Sequence, residues 1–319
     1  MKPVDLITGF LGAGKTSFLL HYAKYFIEKG MKIGILVYDH GAVNIDMPLL
    51  MPLRGENCEL EMLSGACDAD CHRRRFRTKL IAMGMCGYDR VLIEPSGIFD
   101  MDEFFDTLQE PPLDRWYEAG NVIDIVDAGL EEKLTPEEEY YLASQAACAG
   151  AVVLSRTQLV PEEKTAQTLE RLSAAVKKIS SARLNEKRIL RKPWDTFTDE
   201  DLSFLAGCGY QPADFVKVIA GSGSSFQSLS FLEPELTKKE AREKTALLFH
   251  DRSYGEILRV KGFFHDAEDG WIELNATAQS FELKNVKENP AAIIVIGSGL
   301  NEDKIRYLLT GKTSALHIL

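Results

Sequence analysis

The chain has 319 residues, 45% of them hydrophobic, which is enough apolar material for two packed cores. Acidic residues outnumber basic residues by 48 to 37, and the formal charge of -11 opposes binding to nucleic acid or to anionic membranes. No apolar run approaches the roughly 20 residues of a membrane span, and the N-terminus lacks the pattern of a signal peptide, so we expect a cytoplasmic protein without a membrane partner.

The first half of the sequence alternates short apolar runs with helical patterns. This alternation is typical of an α/β fold, in which helices flank a mostly parallel sheet. The predicted strands, each rich in Val, Ile or Leu, are residues 4–8, 32–38, 90–94, 122–126 and 151–155. The first helix is predicted to follow the first strand and to end at Gly30.

The pattern loosens between residues 189 and 223, where prolines and a Gly-Ser run occur. We therefore predict a nucleotide-binding domain over residues 1–188, a connecting segment over 189–223 and a smaller α+β domain over 224–319. The predicted strands of the second domain are residues 226–232, 256–264, 271–275, 280–283 and 292–296, with helices near 238–249 and 302–309.

The segment Gly9-Phe10-Leu11-Gly12-Ala13-Gly14-Lys15-Thr16 has the spacing of a phosphate-binding loop and lies between a strand and a helix. Its glycines allow backbone N–H groups to surround phosphates at a helix N-terminus. Lys15 is predicted to contact the β- and γ-phosphates, and the Thr16 hydroxyl to bind Mg²⁺. The other predicted nucleotide contacts in this region are Gly9, Gly12, Ala13, Gly14 and Ser17.

A phosphate-loop protein also needs an acidic group at the end of a neighbouring strand, to organise Mg²⁺ or the attacking water. Glu94 ends an apolar strand and precedes a Pro-Ser-Gly turn in which Gly97 could sense the γ-phosphate. Asp39 and Asp46 follow the second strand, and we assign them a catalytic role and the outer shell of Mg²⁺ respectively. Without the loop, each of these acids reads as an ordinary exposed side chain.

The order of motifs resembles the CobW/HypB/UreG family of P-loop GTPases, and specifically its CobW-like branch. The family's phosphate loop is similar to residues 9–16, its Glu-[ST]-[ST]-Gly turn to residues 94–97, and its Val-Val-Asp-Ala element to the strand that ends at Asp127-Ala128. Residues 256–262 resemble the first signature strand of the CobW C-terminal domain, and residues 293–299 resemble its closing strand. The resemblance implies a GTPase that delivers zinc, cobalt or nickel to a client metalloprotein.

Cys67 and Cys71 occupy the place of the family's Gly-Cys-x-Cys-Cys motif. If the segment is helical, their spacing puts both thiols on one face, where they could bind a transition metal together with His72, Asp68, Asp70 or Cys58. The six cysteines are predicted to be reduced, because no secretory feature accompanies them. The alternative is that Cys67 and Cys71 pack as small apolar residues, as Cys86 and Cys148 are predicted to do.

Ser155-Arg156-Thr157-Gln158 stands where the family's Asn-Lys-x-Asp segment reads guanine. Gln158 lacks the carboxylate that accepts two hydrogen bonds from that base, while Arg156 could still stack on any base. The sequence therefore leaves GTP or ATP open as the purine nucleoside triphosphate.

Three functions fit these residues. The favoured hypothesis is a metallochaperone that couples hydrolysis to metal release, and it would bind Mg²⁺ and carry Zn²⁺, Co²⁺ or Ni²⁺. The second is a nucleotide-dependent assembly module that binds a client metalloprotein without a metal cargo. The third is a P-loop kinase that phosphorylates a small molecule. A homodimer stays open under each hypothesis.

Overall fold

A computed structural model of the chain describes residues 1–38, 47–63, 69–130, 134–213, 226–278, 280–287, 289 and 291–312. The chain divides into two compact units. The first comprises Met1–Asp39 and Leu49–Ile219, and the second contains Ala220–Leu319. In the part of the chain that is described, no helix combines the length and apolar character needed to span a membrane.

The first unit is built on a seven-stranded sheet in which every pair of neighbouring strands is parallel. Its strands are β1 (Lys2–Thr8), β2 (Ile33–Tyr38), β3 (Cys58–Leu63), β4 (Arg90–Pro95), β5 (Tyr117–Asp127), β6 (Ala151–Ser155) and β7 (Ile189–Leu190). They lie in the order β3-β2-β4-β1-β5-β6-β7. The predicted α/β class is confirmed, and each of the five predicted strands is present.

Helices cover both faces of this sheet. They are α1 (Lys15–Glu28), α2 (Met47–Leu50), α3 (Ala69–Gly84), α4 (Met101–Gln109), α5 (Leu113–Trp116), α6 (Pro136–Cys148), α7 (Glu162–Ile179) and α8 (Asp199–Leu205). Ile7 and Leu92 pack against α1 on one face, while Leu6 and Ile93 join the core formed with α3, α4, α6 and α7 on the other. Burial on both faces explains why the strands are continuous apolar runs.

The connecting segment predicted at residues 189–223 is not a linker over its described part. Ile189–Leu190 form the edge strand β7, which pairs with β6, and Leu205 of α8 is fully buried in the core beside α1. The elements are two and seven residues long, so they are too short to produce a periodic pattern in the sequence. Residues 189–213 thus belong to the first unit.

The second unit contains an antiparallel five-stranded sheet in the order β11-β10-β9-β12-β8. Its elements are β8 (Phe226–Leu232), α9 (Lys238–His250), β9 (Glu256–Asp266), β10 (Gly270–Ala276), β11 (Phe281–Asn285), β12 (Ala292–Ser298) and α10 (Glu302–Thr310). Leu248 and Ile305 of the two helices share a core with Val260 and Val295 of the sheet. The predicted smaller α+β unit is therefore present.

The parallel sheet brings the ends of its central strands to one edge, and Lys15, Thr16, Glu94 and Arg156 follow or end these strands. Because β2, β4, β1, β5 and β6 are neighbours that run in the same direction, their carboxyl ends meet there. Ligands of open α/β sheets bind at such an edge.

Candidate functional site

The phosphate loop connects the end of β1 to the start of α1. Its glycines have positive φ values of 144° at Gly9, 83° at Gly12 and 97° at Gly14. A β-carbon on Gly9 would lie 2.3 Å from the carbonyl oxygen of Ile125, so the loop packs closely against β5. The motif therefore forms the tight backbone turn that phosphate binding requires.

The start of α1 is not capped by a side chain. Its N-cap residue is Gly14, which has none, whereas Asp100 and Thr135 accept hydrogen bonds from the first turns of α4 and α6. The N–H groups of a first helical turn point along the axis, and with the helix dipole they attract anions. The start of α1 is therefore suited to bind a phosphate.

Lys15 lies over the loop. Its Nζ donates a hydrogen bond to the carbonyl oxygen of Gly9 at 3.0 Å, and the residue is 8% exposed. The ammonium group is thus held at the cradle without being buried in the apolar core. Ala13 is buried within the loop and Ser17 is exposed on the first turn of α1.

Thr16 and Glu94 meet beside the loop. Thr16 Oγ1 donates a hydrogen bond to Glu94 Oε1 at 2.6 Å, and the two residues are 8% and 4% exposed. Glu94 lies at the carboxyl end of β4, which pairs with β1, and this register brings its carboxylate to α1. Hydroxyl and carboxylate oxygens are ligands that Mg²⁺ prefers. The pair therefore fits a magnesium site next to the phosphate cradle.

The turn after β4 touches the phosphate loop. A β-carbon on Gly97 would lie 2.5 Å from the backbone nitrogen of Leu11, so the two backbones are in close contact. Gln145 Nε2 of α6 donates a hydrogen bond to the Gly97 carbonyl at 3.1 Å. The buried amide of Gln145 thus holds Gly97 against the phosphate loop. The sequence predicts that Gly97 senses the γ-phosphate at this place.

Asp124 is a buried carboxylate that the sequence analysis does not assign to the site. It lies on β5 in register with Thr8, and neither its two oxygens nor Thr8 Oγ1 has a hydrogen-bond partner. Complete burial raises the pKa of Asp124 to about 7, an increase that the positive charge of Lys15 opposes. A large fraction of Asp124 therefore holds its proton at neutral pH.

The predicted base-binding segment follows β6. Arg156 has a φ of 55°, and its guanidinium forms an ion pair with Asp127 at the end of β5. Gln158 is exposed. Trp194 borders the same region, because a β-carbon on Gly14 would lie 3.0 Å from its Cη2 atom. An aromatic ring and a paired arginine thus surround this side of the loop.

Helix α3 begins at Ala69 and carries the second cysteine of the motif. Cys71 is half-buried, whereas His72 is 5% exposed and its Nδ1 lies 2.8 Å from the hydroxyl of Tyr38. Any contact of His72 with a metal would therefore use Nε2. Among the described residues, no group of three or more His, Cys, Asp or Glu side chains is arranged to hold a metal.

Several predicted residues fall outside the described part of the chain, namely Asp39, Asp46, Cys67 and Asp68. Their assignments stay predictions. Cys58 is at the amino end of β3, in register with Ile33, whereas Tyr38 is in register with Leu63 at the opposite end. A strand of six residues is about 16 Å long, so Cys58 lies at the end of β3 far from Tyr38 and its partner His72, and this placement disfavours Cys58 as a partner of Cys71.

Sequence reasoning missed four residues that line this edge: Tyr38, Asp124, Gln145 and Trp194. Asp124 left a signal, since it is an acid inside the apolar run Val122-Ile123-Asp124-Ile125-Val126. Gln145 and Trp194 come from distant segments and had none. Tyr38 ends the apolar run of β2, where the sequence marks it only as a strand residue.

Comparison with known proteins agrees with this architecture. Residues 3–183 match the profile described as CobW/HypB/UreG, nucleotide-binding domain, which is more than half of the chain. The chain belongs to the CobW/HypB/UreG family. Residues 227–312 match the profile of the cobalamin synthesis protein cobW C-terminal domain, which falls within the second unit.

Two similar proteins of this family come from Escherichia coli. The chain is 30% identical to the zinc chaperone YeiR over 170 residues, covering 52% of this chain and 50% of YeiR. It is 29% identical to the zinc chaperone YjiA over 182 residues, covering 54% of each. The aligned region thus spans about half the length of these two relatives.

Two longer alignments were also found. The chain is 23% identical to the zinc-regulated GTPase metalloprotein activator 1 of Schizosaccharomyces pombe, over 94% of this chain and 83% of that protein. The crystal structure of Zn(II)-bound YjiA GTPase from E. coli aligns with a TM-score of 0.37 and 18% identity, covering 97% of this chain and 98% of that chain.

Proposed function

We propose that this CobW/HypB/UreG family member is a Mg²⁺-dependent nucleoside triphosphatase that carries a transition metal to a client metalloprotein. The observation that carries the first half is the 2.6 Å contact between Thr16 and Glu94 at the uncapped start of α1. This contact supports the proposal because it joins a hydroxyl and a carboxylate, the kinds of oxygen that Mg²⁺ prefers, next to Lys15 and the backbone N–H groups of the loop.

Each residue of the loop has a defined task in this proposal. The backbone N–H groups of residues 9–17 bind the phosphates, and Lys15 exchanges the Gly9 carbonyl for phosphate oxygens. Thr16 and Glu94 hold Mg²⁺, Glu94 directly or through a water molecule, with Asp46 in the outer shell. When bound, the ion neutralises charge that develops on the β- and γ-phosphates. Glu94 and Asp39 orient the attacking water, and Gly97 contacts the γ-phosphate.

The nucleotide is GTP or ATP, with GTP favoured because the relative from Schizosaccharomyces pombe is named a zinc-regulated GTPase metalloprotein activator. Arg156, fixed by Asp127, stacks on the base. Gln158 contributes one hydrogen bond where a carboxylate would contribute two, so we expect weak discrimination between the two purines.

The hydrolysis proposal is tested with Glu94→Gln, which keeps the shape of the side chain and removes its charge. We expect the rate of phosphate release to fall at least about 100-fold, the scale on which removal of a group that acts in the transition state lowers turnover. Glu118→Gln on β5 is the matched control, because Glu118 is exposed. An unchanged rate in Glu94→Gln contradicts the assignment.

For the cargo, we propose that Cys67 and Cys71 bind the metal as thiolates and that His72 contributes Nε2. Zinc is the first candidate, because the relatives YeiR and YjiA are named zinc chaperones. Thiolate and imidazole ligands also suit Zn²⁺ better than Mg²⁺. Co²⁺ and Ni²⁺ are the other candidates.

The cargo proposal is tested by titrating Zn²⁺ and Co²⁺ into the wild type and into Cys67→Ser with Cys71→Ser. The expected outcome is one tight site that the double variant loses. Cys86→Ser is the control, because Cys86 is also half-buried but lies beyond the opposite end of α3. Equal metal affinity in the wild type and the double variant rejects the site.

A second candidate is the assembly module that binds a client without metal cargo. It is favoured by the departure of the segment around Cys67 and Cys71 from the family's Gly-Cys-x-Cys-Cys motif. Tight nucleotide binding together with no stoichiometric metal site in the titration above selects it.

A further inference from the structure

A buried chain of hydrogen bonds joins three elements of the first unit. The hydroxyl of Tyr38, the last residue of β2, donates to Glu103 Oε1 of α4 at 2.9 Å. His72 Nδ1 of α3 lies 2.8 Å from the same hydroxyl oxygen. Tyr38 has one hydroxyl proton and gives it to Glu103, so its oxygen accepts the Nδ1–H of histidine. Three elements therefore share one hydroxyl group.

The ring of Tyr38 packs between α3 and the turn that precedes α4. It stacks on Phe76 of α3 with centroids 5.0 Å apart and planes 12° apart, and it meets Phe99 edge-on at 5.6 Å. The side chain is 1% exposed. Since the ring cannot move independently of its neighbours, a displacement of β2 is passed to α3 and α4 or breaks a buried hydrogen bond.

The three elements are the ones that the proposed function requires to communicate. Tyr38 directly precedes Asp39, which is assigned to the attacking water. Glu103 lies in the helix that follows the turn from Glu94 to Gly97, and His72 is adjacent to Cys71. Tyr38 thus contacts α3 through His72 and α4 through Glu103, and it directly precedes the segment of Asp39 in the sequence.

We propose that the Tyr38 hydroxyl is a positioning group that couples nucleotide binding to metal affinity, by holding α3 and α4 in one arrangement through His72 and Glu103. This inference rests on the proposed function, because it assumes that the chain binds both Mg²⁺-nucleotide and a transition metal. Beyond that function, the inference names the Tyr38 hydroxyl as the group through which the nucleotide site and the metal site affect each other. Such coupling changes ligand affinity about 5- to 150-fold in known cases.

The test measures Zn²⁺ affinity with and without Mg²⁺ and a non-hydrolysable GTP analogue. The ratio of the two affinities is the coupling, and the wild type is expected to show at least about a fivefold ratio. Tyr38→Phe keeps the ring and removes the hydroxyl, so its ratio should fall to about 1. Its nucleotide affinity without Zn²⁺ should stay within about threefold of the wild type, which a general loss of structure does not predict.

Tyr117→Phe is the matched control. The Tyr117 hydroxyl is also buried and donates to the Leu80 carbonyl of α3 at 2.9 Å, but it contacts neither His72 nor Glu103 in the hydrogen bonds of the structure. We expect this variant to keep the wild-type ratio. If Tyr38→Phe does not fold, Glu103→Met removes the acceptor on α4 and should lower the ratio in the same way.

The outcomes separate the inference from the function on which it rests. A wild type that binds no nucleotide or no Zn²⁺ overturns the proposed function. A wild type that binds both ligands with a ratio of 1 overturns only the coupling. A full ratio in Tyr38→Phe, or an equal loss in Tyr117→Phe, rejects Tyr38 as the positioning group.

Discussion

Two regions of the first unit lie at the same edge of the sheet but are stabilised differently. The phosphate end is the loop over residues 9–16 with the start of α1, and the metal-motif end is the start of α3 with Tyr38 and Glu103. At the phosphate end, the contacts are local. Lys15 donates a hydrogen bond to Gly9 within the loop, and the loop leads directly into α1. At the metal-motif end, Tyr38 depends on His72 and Glu103, which are 34 and 65 positions away in the sequence.

The difference arises because the phosphate end depends on backbone geometry, whereas the metal-motif end depends on side-chain contacts. A phosphate cradle needs N–H groups, left-handed glycines and a helix start, so the motif is confined to a few residues. The contacts around α3 use side chains from distant elements, and such contacts vary more freely as long as the packing is kept. Cys71, from the cysteine motif that departs from the family pattern, lies at this second end beside His72.

The largest expected effect is on the unfolding free energy, and it comes from replacing the buried carboxyl group of Asp124. Asp124→Asn removes a carboxylate whose pKa is raised from 3.8 to about 7 by burial. In the wild type this group adds stability at low pH, and that contribution is lost as the pH rises through about 7. The variant should therefore gain about 3 kcal/mol of unfolding free energy over the wild type between pH 5 and pH 8.

Urea unfolding at the two pH values measures this gain. Asp106→Asn, at an exposed position of α4, is the control and should change the unfolding free energy little at either pH. The same difference between Asp124→Asn and the wild type at pH 5 and pH 8 would show that Asp124 is not held as the neutral acid.

The next largest effect is on nucleotide affinity, and it comes from disrupting the contact between the phosphate loop and the turn after β4. Gly97→Ala places a β-carbon 2.5 Å from the Leu11 nitrogen, so the backbone of one segment must move. We expect the affinity for Mg²⁺-nucleotide to fall about 30-fold, or about 2 kcal/mol, from the displaced N–H groups. Gly87→Ala is the control, because open space surrounds that position. Wild-type affinity in Gly97→Ala, measured calorimetrically, rejects the contact as part of the site.

The smallest effect is on the preference for GTP over ATP, and it comes from a substitution in the predicted base-binding segment. Gln158→Asp supplies the carboxylate that pairs with guanine, and the preference for GTP over ATP should increase about tenfold. Leu159→Asp adds the same charge at a neighbouring position that is 66% exposed and should leave the preference unchanged. Competition between the two nucleotides measures both, and an equal change in the two variants indicates a general charge effect.

The sequence predicts the fold well, because buried parallel strands and amphipathic helices are local patterns. It also predicts that Thr16 and Glu94 converge, since Thr16 follows the first strand and Glu94 ends another strand of the same parallel sheet. It does not predict β7 or α8, which are short and are stabilised by contacts with distant elements. The contacts of Tyr38 with His72 and Glu103 could not be inferred either, because they depend on the tertiary packing of α3 and α4.

The central claim is that the loop over residues 9–16 binds a Mg²⁺-nucleoside triphosphate through Lys15. Calorimetric titration of Mg²⁺-GTP and Mg²⁺-ATP into the wild type, Lys15→Ala and Lys24→Ala tests it most directly, since Lys24 is an exposed lysine on the same helix. We predict binding to the wild type and to Lys24→Ala, and a loss of at least about 100-fold in Lys15→Ala, from two lost charge-assisted hydrogen bonds. Equal affinity in Lys15→Ala and the wild type, or no binding of either nucleotide to the wild type, would contradict the account.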